Sequence, residues 1–419
     1  MVKHTVSPPI GDKKPGIFYG YIVVLVAFLI MVIMAGLLYS FGVFLKPVSS
    51  EFGWTRAMTS GAYSMGLFIA GLSFMATGRL NDRFGPRIVT TVCGCLLGLG
   101  YLLMSQVSAP WQLYLFWGVI VCMGTSGGFV PMTSTAARWF VKRRGMMTGI
   151  VTAGVGVGIT IVPPLASWLI LSQGWRTSFI IIGLTALVLI TLFAQFLKRD
   201  PGKIGQLPYG ANEITRENPT PESGGFSLRE AARTKQLRMV WASYFFLGSC
   251  MHTGMVHIVP HTTDLGILAM TAANILAVIG VLSIVGRIGI GSISDKIGRK
   301  PSLIIGFALL ATAALLVMAA KEVWMFYIFA ILFGFSTGGV IALESPVTAE
   351  FFGLRAHGSI MGTIVFCATV GGAFGSLFAG RIFDITGSYY IAFLVSTVLA
   401  TVGLILVSLL KHTRWEVSA

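Results

Sequence analysis

The decapeptide GRLNDRFGPR, residues 78–87, returns 213 positions later as GSISDKIGRK, residues 291–300, placing Gly78 on Gly291, Asp82 on Asp295, Gly85 on Gly298 and Arg87 on Lys300. The same offset pairs Gly145 with Gly358, Gly149 with Gly362, Gly158 with Gly371 and Gly174 with Gly387. The correspondence therefore runs through whole halves of the 419-residue chain and predicts a duplicated fold. What surrounds the two decapeptides says which kind.

On both sides of each decapeptide the chain is apolar for about 20 residues at a time, the length that crosses about 30 Å of hydrocarbon as a helix. Such windows cover 18–45, 58–78, 88–108, 111–136, 146–171, 175–197, 239–263, 269–293, 301–320, 323–348, 357–381 and 389–410, twelve in all. A barrel would show alternating segments of about ten residues instead. Charged residues make up 11% of the chain and hydrophobic ones 55%, against about 25% charged in soluble domains. The expected fold is an all-α membrane protein, twelve transmembrane helices in two pseudo-symmetric six-helix bundles. The first window does not read as a signal peptide, because Lys13 and Lys14 precede a long apolar run with no small-residue cleavage site and further spans follow.

The one long polar connection, 198–238, is rich in Gly, Pro and charge and splits the windows six and six. Expected boundaries are a bundle at 1–197, a linker at 198–238 and a bundle at 239–419. With the N-terminus inside, 24 of the 30 basic residues fall in the tails, the linker and the loops on that same side. This is the positive-inside asymmetry, and it places both termini in the cytoplasm of a multi-pass protein of the cell inner membrane. Topology thus accounts for the net charge of +15, and zinc spacings or a recognition helix that would suggest nucleic acid are missing.

The five cysteines, Cys93, Cys95, Cys122, Cys250 and Cys367, lie in or near apolar windows, and CGC at 93–95 sets two thiols where they do not face each other on a helix. No disulfide, metal site or cofactor is expected. No P-loop, Ser-His-Asp order or nucleotide fingerprint points to an enzyme. Duplicated six-span halves are the plan of many secondary transporters, whose substrate site lies between the halves. A channel would show a selectivity filter or charge rings.

The two decapeptides resemble the signature loop of the major facilitator superfamily, and the likeness extends over essentially the whole chain. WFVKRRGMMTGIVTAGVGVG, 139–158, is similar to the fourth-to-fifth-span motif of the monocarboxylate transporters and the related oxalate-formate antiporter group. YGYIVV at 19–24 matches the opening of the first span only in degenerate form. The resemblance implies the major facilitator fold and carriage of small carboxylates.

Arg287 stands alone in the apolar run VLSIVGRIGIG. A guanidinium there needs a water-filled cavity or a partner, and its planar fork suits a carboxylate. The alternatives are an ion pair with Glu344 or snorkelling to the inner surface. The resemblance implies the first, since Arg287 matches the family's substrate-binding arginine. Ser283 stands where mammalian members carry an aspartate, and Tyr39 where they carry a first-span lysine, so their proton relay is not reproduced. Tyr39, Ser283 and Asn274 are candidate cavity residues.

His257 is the first candidate for a substrate or proton role, since imidazole titrates near neutrality; a helix–helix hydrogen bond is the alternative. His252 and His261 flank it, but Pro260 and the absence of a following Glu argue against a metal site. Glu344 is the other candidate proton carrier. Asp82 and Arg83, with Asp295 and Arg144, are expected to latch the cytoplasmic side and release as the halves rock, or simply to fix the loops. Gly154, Gly156 and Gly158 form a small face for helix packing. Pro163 and Pro164 are expected to kink or end the fifth span, and Pro131 and Pro346 to do the same in the fourth and tenth.

The expected function is proton-coupled symport of small monocarboxylates such as L-lactate or pyruvate by alternating access. The alternative is an oxalate/formate-type carboxylate antiporter, disfavoured because a dianion is better balanced by two cations than by one arginine. A carboxylate sensor would carry a soluble signalling domain. The expected partners are a small carboxylate anion, a proton and the lipid bilayer, with no nucleic acid and no obligate protein partner.

Overall fold

The computed structural model describes residues 18–54, 56–211 and 225–411. The basic residues Lys3, Lys13, Lys14, Arg216 and Arg414 lie outside them. The first half comprises α1 (Tyr19–Tyr39), α2 (Phe41–Phe52), α3 (Arg56–Phe84), α4 (Pro86–Met104), α5 (Pro110–Leu113), a π-helical stretch (Tyr114–Val121), α6 (Cys122–Thr125), α7 (Phe129–Trp139), α8 (Arg144–Gln173) and α9 (Trp175–Ala194). After the short α10 (Leu228–Arg233), the second half comprises α11 (Lys235–Asp264), α12 (Ala269–Ile297), α13 (Arg299–Ala319), α14 (Val323–Ala342), α15 (Glu344–Phe352), α16 (His357–Thr386) and α17 (Tyr390–Ser408).

Eleven helical segments among the described residues are long and apolar enough to span a membrane. The segment counted from sequence but not among them is α11, whose 30 residues are diluted by Lys235, Arg238, three histidines and Asp264. Its length, about 45 Å at 1.5 Å per residue, matches that of α8 and α16. The chain is an all-α, multi-pass membrane protein.

The decapeptide glycines have a geometric cause. Gly85 and Gly298 sit between consecutive helices at φ of +84° and +95°, a conformation L side chains rarely adopt. They let α3 turn straight into α4, and α12 into α13, with one residue between.

The prolines act differently from one another. Pro131 and Pro346 lie in the first turns of α7 and α15, where a missing N–H has no helical partner to lose. Both follow a break, so the fourth and tenth spans are each made of successive pieces. Pro163 and Pro164 do not end α8, which runs on to Gln173 and stops at Gly174, φ +79°. The two missing donors free only the Ile159 and Thr160 carbonyls, and the ladder resumes on either side.

Buried hydrophobic side chains gather in one large cluster from Val23 to Leu197 and another from Ala231 to Leu410. A small third cluster, Val130, Met361 and Val365 with Phe74 and Phe129, joins first-half to second-half helices. Helix crossings repeat at the 213-residue offset: Gly158 packs on the Val32 carbonyl and Gly371 on that of Phe245.

Candidate functional site

Two features lie where the halves meet, a buried charge inside α12 and a pair of carboxylate clasps at the end carrying the decapeptide loops. Arg287 is 7% exposed. Its Nη1 donates to Ser283 Oγ one turn earlier, at 2.5 Å, and its Nε has no hydrogen-bond partner. The helix N-terminal residue of α15, Glu344, is 3% exposed, and its Oε2 also lacks a partner. Tyr39, at the end of α1, and Glu344 are the electrostatic neighbours of the guanidinium. Tyr244, which donates to the Val340 carbonyl at 3.2 Å, is a further neighbour of Glu344.

No salt bridge joins Arg287 and Glu344 among the described residues, so direct pairing does not account for either charge. A buried donor or charged acceptor left without a partner costs about 1–3 kcal/mol or more, which makes the pair a place prepared for polar contact. Space is provided from the other half: a Cβ on Gly156 of α8 would sit 3.6 Å from Arg287 Nη1 and collide with Ile284. Gly149, two turns earlier, lets the α8 backbone approach the Arg287 carbonyl. The small face read from sequence as helix packing thus admits Ile284 of α12 and leaves the α8 backbone beside the guanidinium.

The other polar candidates are not gathered here. His257 Nε2 lies 3.1 Å from the Ser376 carbonyl on α16, and its ring is 5.1 Å from that of Tyr389. His261 sits among the rings of Phe326, Tyr389 and Phe393, and His252 Nδ1 lies 3.1 Å from the Gly248 carbonyl. All three are engaged within the second half. Asn274 is exposed and thirteen residues from Arg287 on the same helix, about 20 Å along its axis. No group of three or more His, Cys, Asp or Glu among the described residues is arranged to hold a metal ion.

The clasps are pseudo-symmetric. Asp295 Oδ1 accepts from Gly145 N and its Oδ2 from Met146 N, both at 2.8 Å, while Arg299 Nη1 lies 2.8 Å from Oδ1. Asp82 Oδ1 accepts from Gly358 N at 3.0 Å, and its Oδ2 accepts from Ser359 N at 2.7 Å and Ser359 Oγ at 2.8 Å. Arg138 Nη2 lies 3.5 Å from Asp82 and donates to the Leu354 carbonyl at 2.7 Å. Each aspartate thus caps the first turn of a long helix in the opposite half, where exposed N–H groups and the helix dipole favour a negative charge. Arg144 Nε bonds the Ala137 and Phe140 carbonyls at 2.9 Å, fixing the turn between α7 and α8, and Arg83 lies over the Phe84 ring at the surface. Sequence reading missed Arg138 and Ser359. The 213-residue offset held the signal for the second, because Ser359 stands where Met146 stands in the first half.

A duplicated helical membrane protein with a buried charge at the seam and matched clasps at one end is built as a transporter. The Major Facilitator Superfamily model matches residues 25–318 and 262–416, and the chain belongs to that family. It is a membrane carrier of a small solute rather than an enzyme. "Monocarboxylate transporter 13" of Rattus norvegicus is 27% identical over 399 residues, 94% of this chain and 88% of that protein. "Oxalate:formate antiporter" of Oxalobacter formigenes is 26% identical over 382 residues, 89% and 88% of the two chains. The crystal structure of the transporter FucP in its outward conformation superposes with a TM-score of 0.72 at 14% identity, covering 94% of this chain and 100% of that one.

Proposed function

We propose that the protein carries small monocarboxylates such as L-lactate or pyruvate together with a proton. The observation that supports this most directly is Arg287: a buried guanidinium with one N–H on Ser283, an unpartnered Nε and, among the described residues, no carboxylate bonded to it. A monocarboxylate supplies the missing charge in the geometry a guanidinium holds best. Tyr39 and Ser283 serve the remaining polar atoms, and Glu344 or His257 takes the proton. Names borne by relatives along most of this chain's length, a monocarboxylate transporter and an oxalate:formate antiporter, support a carboxylate cargo.

In this reading residues 1–197 and 239–419 are the two rocking bundles and 198–238 their cytoplasmic linker. The membrane is the cell inner membrane, and the basic, decapeptide-bearing end faces the cytoplasm. The clasps of Asp82 and Asp295 then close the inner gate, with Arg83 and Arg144 beside them, and the conformation is outward-facing. Loading proton and anion neutralises the seam and lets the bundles close over Arg287.

The test is uptake of labelled L-lactate into proteoliposomes with and without an inward proton gradient, alongside vesicles preloaded with oxalate. Gradient-driven accumulation is expected, falling at least tenfold in Arg287→Ala and less in Arg287→Lys, which keeps the charge but not the fork. Uptake that requires a preloaded counter-anion would replace symport by the exchange that the Oxalobacter relative's name describes.

A further inference from the structure

The two clasps are matched except at one residue. At the 213-residue offset Arg144 corresponds to His357, and both begin the helix that an aspartate of the other half caps. Arg144 carries a permanent charge. His357 is instead fully buried, at 0% exposure, where α7, α15 and α16 meet.

The hydrogen bonds fix its tautomer. Ser345 Oγ donates to the Thr133 carbonyl at 3.0 Å, across the seam, so that hydroxyl has no proton to offer the ring 3.4 Å away. His357 Nε2 lies 3.0 Å from the Ser345 carbonyl, which only accepts, so Nε2 carries the hydrogen. Nδ1 has no partner. The ring carries its hydrogen on Nε2, and a second proton has to go on Nδ1, where no acceptor waits.

The charged groups around the ring belong to several elements. From α7 and α8, Arg138 and Arg144 are its electrostatic neighbours, held on the Leu354 carbonyl and on the Ala137 and Phe140 carbonyls. From α3, Asp82 is occupied by the Gly358 and Ser359 amides and by Arg138. From α15, Glu344 is a neighbour of Arg287, and Glu350 lies 3.7 Å from Arg299. Arg355, two residues before the ring, is exposed and lies 3.8 Å from Glu230.

We propose that His357 is a proton-binding site built into the Asp82 clasp: the closed gate excludes a proton that the open gate accepts. This rests on the reading of the clasps as the inner gate and not on the identity of the solute: acid at the decapeptide end drives the gate open. With the open-state imidazole near its ordinary value of about 6.5 and the closed ring unprotonated, lowering the pH from 7.5 to 5.5 raises the open-to-closed ratio about tenfold.

Amide hydrogen exchange of the wild-type protein in lipid nanodiscs reads that ratio in the first turns of α16, once intrinsic chemical exchange is divided out. The expected result is a rise of about tenfold in the wild type and less than twofold in His357→Gln, which retains a donor for the Ser345 carbonyl. A wild-type rise under twofold, or a variant that keeps the wild-type response, overturns the proposal. Should the variant fail to fold, exchange of the imidazole C2 hydrogen in the wild type gives the midpoint of His357 directly. A midpoint well below 6.5 supports the site, and one at the value of an ordinary exposed histidine overturns it.

Discussion

Arg287 derives its setting from what its neighbours lack. Gly156 has no side chain to fill the face of the guanidinium, and Ser283 is short enough to accept one N–H and leave the rest of the fork free. Gly156→Ala places a methyl about 3.6 Å from Nη1 and against Ile284, so the Ile284 side chain has to shift beside the charge. The expected outcome is normal assembly with the apparent KM raised about tenfold and the gradient dependence unchanged, measured by initial-rate uptake in proteoliposomes. An unchanged KM would separate Gly156 from the site. Arg287 was legible in the sequence because a lone charge in an apolar run has few explanations. Gly156 was legible only as packing, since the same small residue serves both ends and only the position of α12 against α8 distinguishes them. His257 shows the limit of composition: its partner is a backbone carbonyl of α16, which no pattern of side chains announces.

Among the elements, the helix N-termini at Arg144 and His357 are where the clasps act. A carboxylate bonded to two successive first-turn amides contributes about 1–2 kcal/mol through its charge and its bonds. Asp82→Asn and Asp295→Asn each keep one acceptor oxygen and lose the charge. Each is expected to raise gate opening about 5- to 30-fold in hydrogen exchange of the helix it caps. Each change also frees an arginine, Arg138 from its 3.5 Å contact with Asp82 and Arg299 from its 2.8 Å contact with Asp295. At the opposite end, α2 is tied to α9 by Glu51, which takes hydrogen bonds from Arg176 and, at 2.6 Å, from Trp175 Nε1. Those bonds hold the exposed Glu51 carboxyl below the ordinary glutamate range. A depressed folded value means stabilisation present above the unfolded pKa and lost as pH falls through the folded one. Glu51→Gln is therefore expected to lower Tm slightly at pH 7, the difference shrinking as the pH falls through the folded value, read by thermal melts. The helices and the tight loops were legible from apolar length and from Gly85 and Gly298. The boundary of α8 was not, because two prolines in a membrane helix remove donors without removing the ladder around them.

Over the whole molecule, the repeat that declared the fold also tells where function departs from it. The scaffold positions repeat: Gly78 meets the Gly358 carbonyl, while Gly145 meets that of Gly291, its own counterpart being Gly358. The chemical positions do not repeat. Arg287 answers to Phe74, Glu344 to Pro131, Ser283 to Ala70 and His357 to Arg144. The contact glycines follow the symmetry and the residues proposed for cargo and proton break it, so a sequence comparison of the halves separates the two kinds of residue without any other protein. The glycine contacts make this testable because neither of them touches Arg287's guanidinium. A Cβ on Gly78 would strike backbone, which has no rotamer to move, so Gly78→Val has to wedge α3 away from α16. The crosswise Gly145→Val does the same to α8 and α12, against the Gly291 carbonyl and Ser294 Oγ. Both variants are expected to shift the protein toward opening at the decapeptide end. Hydrogen exchange should rise in the first turns of α8 and α16 together, because two rigid bundles rocking about one seam cannot part at one crossing and remain closed at the other. Opening confined to the substituted crossing would show instead that the clasps release independently, and the two-bundle description of the motion would have to be abandoned.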